Sequence, residues 1–246
     1  MQVKIFENLD VLSEALVQWI ISDIRDRLKI KKRFSIVLSG GNTPKLLYQL
    51  LASSPYKEQV DWARIDFFWG DERAVPFEDD RNNAKMAFET LLNHLAVAPS
   101  QIHVMRTDIS PEKSADDYEQ ILKNYFPTTM NEESVTSFDL VLLGMGDDGH
   151  TLSLFPGTQM MHEEKYWVRS LWLQKQDMFR ITLTKAIVNL SAKIVFLASG
   201  AGKAEALHEV LYGAYDPDRF PSQVIRPNRG ELFWFVDQAA AAKLKK

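Results

Sequence analysis

His150, in the run Gly146-Asp147-Asp148-Gly149-His150, has the neighbours expected of a group that moves protons. An imidazole titrates near neutrality and can serve first as a general base and then as a general acid. The run begins where an apolar stretch, Leu140 to Leu143, stops at Gly144-Met145-Gly146. That is how a strand of a parallel sheet hands over to a loop at its carboxyl edge, where open α/β sheets receive their ligands. The other four histidines lack this setting. His94 and His208 fall within helical patterns, and His103 and His162 have no acidic or glycine context. Residue type leaves other readings open: His150 could be a packed loop histidine, and Asp147 and Asp148 could simply close an Asx turn.

Three further apolar stretches end the same way. Phe34 to Leu38 runs into Ser39-Gly40-Gly41-Asn42-Thr43-Pro44. Arg64 to Trp69 runs into Gly70-Asp71-Glu72-Arg73, and Ile194 to Ala198 into Ser199-Gly200-Ala201-Gly202-Lys203. A glycine loop before a helix presents backbone N–H groups and the positive helix end to an anion. If the strands are parallel neighbours, the four loops meet. Together they offer two amide-rich loops, the cations Arg73 and Lys203, carboxylates and one imidazole. That set suits a small anionic substrate, most simply a phosphorylated metabolite, with proton transfer by His150. Asp71 and Arg73 could instead merely pair with each other. The Lys203 loop lacks the full G-x-x-x-x-G-K-[ST] pattern, so an ATPase is a poor reading. No paired histidines stand at metal-ligand spacing.

The elements that must position these loops alternate strand with helix. Leu12, Leu16, Trp19, Ile20, Ile24 and Leu28 mark a helix over Asp10–Leu28 with Asp10 as N-cap. Lys45–Ala52 follows Pro44 as a second helix. Asn82 or Asn83 opens a third, and Ser110-Pro111 caps a fourth carrying Ala115, Tyr118, Leu122 and Tyr125. Ile102–Met105 is a short strand, and Pro127–Ser137 a polar loop. Tyr166–Leu173 and Arg180–Thr184 read as strands of partial alternation, with Asn189 in a short helix after them. A helix bearing Ala204, Leu207, Val210 and Leu211 follows Lys203. Glu231–Val236 is a last strand, and Asp237 begins an alanine-rich terminal helix. The fold class is α/β: an open, mostly parallel sheet flanked by helices, with a small antiparallel edge or subdomain. A single domain over 1–246 is expected, with the subdomain at about 157–185.

Composition narrows the function classes. The chain has 246 residues, 46% apolar and 25% charged, enough for a full core. Its net charge of −4, without a basic cluster, argues against a nucleic-acid surface. No apolar run approaches the ~18 residues of a membrane span, and Met1–Leu9 lacks a signal-peptide pattern. Cysteine is absent, which excludes disulfides, thiolate catalysis and cysteine-ligated metals. A cytoplasmic protein is expected.

At the loops themselves the sequence resembles a known family. SGGNTP (Ser39–Pro44), GDERAVP (Gly70–Pro76), GMGDDGHTLSLFPG (Gly144–Gly157) and RITLT (Arg180–Thr184) with the Gly200–Lys203 loop are similar to 6-phosphogluconolactonases, in that family's order. The likeness runs down to Pro227 and the Gly230–Trp234 strand. Glucosamine-6-phosphate deaminases share the sheet, the SGG loop and the DGH turn, but read D-G-H-I-A-F-N-E-P. Their glutamate stands five residues after the histidine, where this chain has Phe155. Two departures from the lactonase pattern are Asn42, where serine is usual, and Asn82-Asn83 for a Ser-Asn pair. Both keep a hydrogen-bonding side chain.

The resemblance implies a Rossmann-like fold and hydrolysis of 6-phospho-D-glucono-1,5-lactone, without metal or organic cofactor. It implies His150 as general base, with Asp148 setting the turn that aims it and Asp71 orienting Arg73 or a sugar hydroxyl. Ser39, Gly40, Gly41, Asn42, Thr43, Gly146, Arg73 and Lys203 would hold phosphate and sugar oxygens, their division between phosphate and oxyanion left open. The partner is a phosphorylated sugar lactone, not nucleic acid or membrane, and the chain a monomer or homodimer. An amino-sugar-phosphate deaminase or isomerase is the alternative, and a non-catalytic sugar-phosphate sensor a third reading.

Overall fold

The computed structural model describes residues 1–126 and 137–244. In chain order the elements are β1 (Gln2–Phe6), α1 (Leu9–Leu28), β2 (Phe34–Leu38), α2 (Asn42–Leu51), β3 (Ile65–Trp69), β4 (Asp71–Arg73), α3 (Asn83–Thr90) and β5 (Ile102–His103). Then come α4 (Pro111–Tyr125), β6 (Leu140–Gly144), β7 (Val168–Leu173), β8 (Met178–Leu183), α5 (Lys185–Val188), β9 (Lys193–Ala198), α6 (Ala204–Tyr212) and β10 (Glu231–Asp237). Seven strands form a parallel sheet in the order β1-β10-β9-β6-β2-β3-β5. The other three form an antiparallel sheet in the order β4-β8-β7. The expected α/β class, with its small antiparallel sheet, is what the chain adopts.

The central strands are apolar without alternation because both faces are covered. β2 and β3 are buried at every position. Ile36 and Leu38 pack with Leu12, Leu16 and Leu47 of α1 and α2 on one face. Val37 and Phe68 pack on the other with Tyr118 of α4 and with Ile181 of β8. Burying each such side chain contributes about 1.5–3 kcal/mol. With all seven strands parallel, their carboxyl ends share one rim, and β2 and β9 flank β6 there.

Four local expectations need correction. Asn8, not Asp10, caps α1: its side chain accepts from the Val11 N–H, leaving Asp10 inside the first turn. Residues 71–73 are not a loop at the end of β3. Past Gly70 the chain leaves the main sheet, and Arg73 pairs opposite Arg180 on β8. The N-terminal strand β1, unforeseen, lies at the sheet edge, where partial exposure hides its periodicity. Among the described residues no helix follows Asp237. That residue ends β10, and its carboxylate accepts from Ser199 Oγ, Gly200 N and Ala240 N, so residues 238–243 fold into turns. The expected polar loop at Pro127–Ser137 lies, but for Ser137, outside the described residues.

Candidate active site

The Ser39–Gly41 segment is fixed from behind by Tyr48 of α2. Its hydroxyl accepts from Ser39 N (2.8 Å) and donates to Ser39 O (2.9 Å). Gly41 holds φ +108°, a conformation L side chains rarely adopt, and turns the chain into α2. Asn42 and Thr43 are the first residues of that helix.

The histidine loop is a tight turn in which Gly149 N donates to Gly146 O and Gly146 N to His150 O. Asp148 Oδ1 accepts from the His150 backbone N–H (3.1 Å) and lies 2.5 Å from Nδ1. A Cβ on residue 146 would stand 2.1 Å from that Nδ1, so only glycine leaves room for the pair. Asp148 bonded to Nδ1 selects the tautomer that leaves Nε2 free as a proton acceptor. The same bond holds the Asp148 carboxyl down at about 2, against burial, which acts to raise it. Phe155 stacks on the imidazole with ring centroids 4.1 Å apart.

The lowered Asp148 value sets a pH test. A carboxyl depressed in the folded state adds stability above the usual carboxylate value, lost as pH falls through about 2. Because Asp148 is 44% exposed, screening leaves about 1 kcal/mol. Asp148→Asn should therefore show a shallower acid loss of stability between pH 4 and 2 in denaturation curves. It should also lower kcat at least ~10-fold at unchanged KM, through loss of tautomer control.

Asp71 and Arg73 do not pair with each other. Asp71 Oδ2 accepts from Ser153 Oγ at 2.6 Å, and Asn83 Nδ2 donates to the Asp71 carbonyl at 2.9 Å. Arg73 donates through Nη1 to the Arg81 carbonyl, and its Nε–H is buried without a partner. Between them Glu72, 1% exposed, accepts from the N–H groups of Arg73, Asn83 and Ala84 at 2.7–2.8 Å, tying β4 to the start of α3. Burial pushes its carboxyl up to about 7, although those amides pull it down. Lys203 lies 2.6 Å from Asp147. That pair is largely exposed at the aspartate and costs little to open.

One cleft of about 260 Å³ gathers these groups. Ser39, Gly40, Gly41, Asp71, Arg73, Gly146, His150 and Lys203 all line it. Asn42, Thr43 and Asp148 are not among its lining residues; Asp148 reaches it through His150. The lining also includes Asn83, Phe155, Gln176 and Arg180, which residue-type reasoning did not single out as site residues. Arg180 had one legible signal, a charge inside the apolar stretch MFRITL. Gln176 had none, since its place depends on the β7–β8 turn. The other histidines are elsewhere: His103 stacks on Phe68, and His162 pairs with Asp218 at an exposed position. Among the described residues no group of three or more His, Asp or Glu side chains is placed to hold a metal ion, and no helix is long and apolar enough to cross a membrane.

A parallel sheet whose rim joins a helix-start glycine loop, three cations and a carboxylate-held imidazole is of the class built to take a small anionic ligand beside a proton-transfer group. The family model described as glucosamine-6-phosphate isomerases/6-phosphogluconolactonase matches residues 7–234. The chain belongs to that family. It is 38% identical over 229 residues to 6-phosphogluconolactonase 3, chloroplastic, of Arabidopsis thaliana, covering 91% of this chain and 69% of that one. It is 36% identical over 246 residues to the 6-phosphogluconolactonase of Synechocystis sp., covering 99% and 98%. The structure of 6-phosphogluconolactonase from Trypanosoma cruzi superposes with a TM-score of 0.87 at 27% identity, covering 100% and 97%.

Proposed function

We propose that the chain hydrolyses 6-phospho-D-glucono-1,5-lactone to 6-phosphogluconate, a step of the oxidative pentose phosphate pathway. The observation that carries this is a single one: His150, its Nδ1 engaged by Asp148, lines the same cleft as Arg73, Lys203 and the Ser39–Gly41 amides. The relatives named 6-phosphogluconolactonase support it. His150 Nε2 takes a proton from water as the water oxygen bonds to C1. The C1 oxyanion then collapses, the bond from C1 to the ring oxygen breaks, and Nε2 returns the proton to that oxygen. The product is a carboxylate and a hydroxyl, with one proton released to solvent. Asp71, held by Ser153, is the acceptor for a sugar hydroxyl.

Phe155 favours this reading over deamination. Where the resembling deaminases carry a glutamate, this chain sets a phenyl ring against the imidazole. A deaminase must open a hemiacetal and move a carbon-bound proton, so it needs that further acid. A dianionic sugar phosphate does not cross a bilayer unaided, so the enzyme must share the compartment where its substrate forms; we take this to be the cytoplasm. The test is a coupled assay in which glucose-6-phosphate dehydrogenase generates the lactone and its decay is followed. Decay no faster than without the protein, or ammonia release from glucosamine 6-phosphate, would refute the reading. Lys203→Ala should raise KM by roughly 10–100-fold, the worth of one charged hydrogen bond, at little cost in kcat. An unchanged KM would put the phosphate elsewhere.

A further inference from the structure

Arg180 is 4% exposed, and the mechanism above gives it no task. Buried arginines are ordinarily matched by a carboxylate, because an unpaired buried charge is costly. Among the described residues its hydrogen-bond partner is the neutral Gln176 side chain, and its Nε–H has none. Directly across the β4–β8 ladder stands Arg73, whose Nε–H is likewise buried and unpartnered. Registered residues on antiparallel strands share a face, and like charges there repel. A buried guanidinium facing a half-buried one, each with its Nε–H unpartnered, in a cleft where Asp71 already bonds Ser153, leaves donors for a bound anion.

The position of Arg180 selects which anion. Its guanidinium lies 5.9 Å over the Phe155 ring, and His150 stacks on that same ring. Arg180 and the imidazole thus have Phe155 as a common neighbour in one cleft, and in the proposed reaction the imidazole is the group that stands at C1. Lys203 and the Ser39–Gly41 amides come instead from β9 and β2 of the main sheet. The product carries two anionic groups, a phosphate and a carboxylate, at opposite ends of a six-carbon chain. We propose that Arg180, together with Arg73, holds the C1 end: the carbonyl oxygen as it gains charge, then the product carboxylate, leaving the phosphate to Lys203 and the Ser39–Gly41 amides. The assignment rests on the lactonase reading and adds to it a division of the cations between the two ends. A guanidinium fork offers paired N–H donors that match a carboxylate.

The test compares two ligands that differ only at C1. 6-Phosphogluconate has the carboxylate; glucitol 6-phosphate has a hydroxymethyl group there and keeps the phosphate. Calorimetric titration of Arg180→Met should show 6-phosphogluconate weakened by roughly 10–100-fold and glucitol 6-phosphate unchanged within twofold. Arg180→Lys, which keeps the charge but loses the fork, should fall between wild type and Arg180→Met for 6-phosphogluconate alone, and it serves if the methionine variant does not fold. Equal weakening of both ligands would make Arg180 a phosphate group or a structural one, and no weakening of either would leave it without a ligand. Each of those results overturns the assignment. Wild-type protein that binds neither ligand would overturn the lactonase reading and this assignment together, and is told apart by needing no variant.

Discussion

Replacing His150 with alanine is expected to lower kcat for lactone hydrolysis by about 10²–10⁴-fold, the range general acid–base catalysis supplies. Product binding should be nearly untouched, because the cations and loop amides remain. The lactone is an activated ester that hydrolyses unaided, so the enzymatic rate must be read above that background. Turnover equal to wild type in the coupled assay would remove the imidazole from the mechanism, whatever its position in the cleft.

The largest effect on stability is expected from Glu72→Ala. Its carboxyl accepts from three backbone N–H groups, two of them at the start of α3 and all shielded by a residue 1% exposed. Alanine leaves those donors without an acceptor and opens a void. Each orphaned buried donor costs about 1–3 kcal/mol, so a total loss of roughly 3 kcal/mol or more is expected even if the costs do not add fully. Equilibrium denaturation measures it, and a loss below about 1 kcal/mol would show that water replaces the carboxyl freely. Glu72→Gln should lie between, because an amide oxygen can still accept while its NH₂ faces donors. The activity of Glu72→Ala should suffer as well: Glu72 fixes the Arg73 N–H and the Asn83 N–H, and both side chains line the cleft.

Much of the site was legible in the chain itself. Buried strands of a parallel sheet read as unbroken apolar runs, and β2, β3, β6 and β9 do so, each ending in glycine or serine at the rim. Turn chemistry is local too. Gly146 makes room for a side chain four residues on, and Asp148 reaches a ring two residues on, so short-range pattern carries them. The caps were less certain: Asn8 and Asp10 are both good caps by type, and only the path of the chain chose Asn8.

What the sequence determined alone was therefore the type and chain order of most elements, β1, β4 and the turns after Asp237 excepted, and the identity of the loops that meet at the cleft. Those follow from period, glycine and capping residues, which act over a few positions. The tertiary structure decided what depends on registry between distant strands. It turned Asp71–Arg73 out of the main sheet to pair with β8, and so set Arg73 opposite Arg180. It tied the end of β10 to the Ser199–Gly200 loop through Asp237, where composition favoured a helix. Strand partners are set by packing of whole faces and by pairing over more than a hundred residues of chain, and no window of neighbouring residues contains that information.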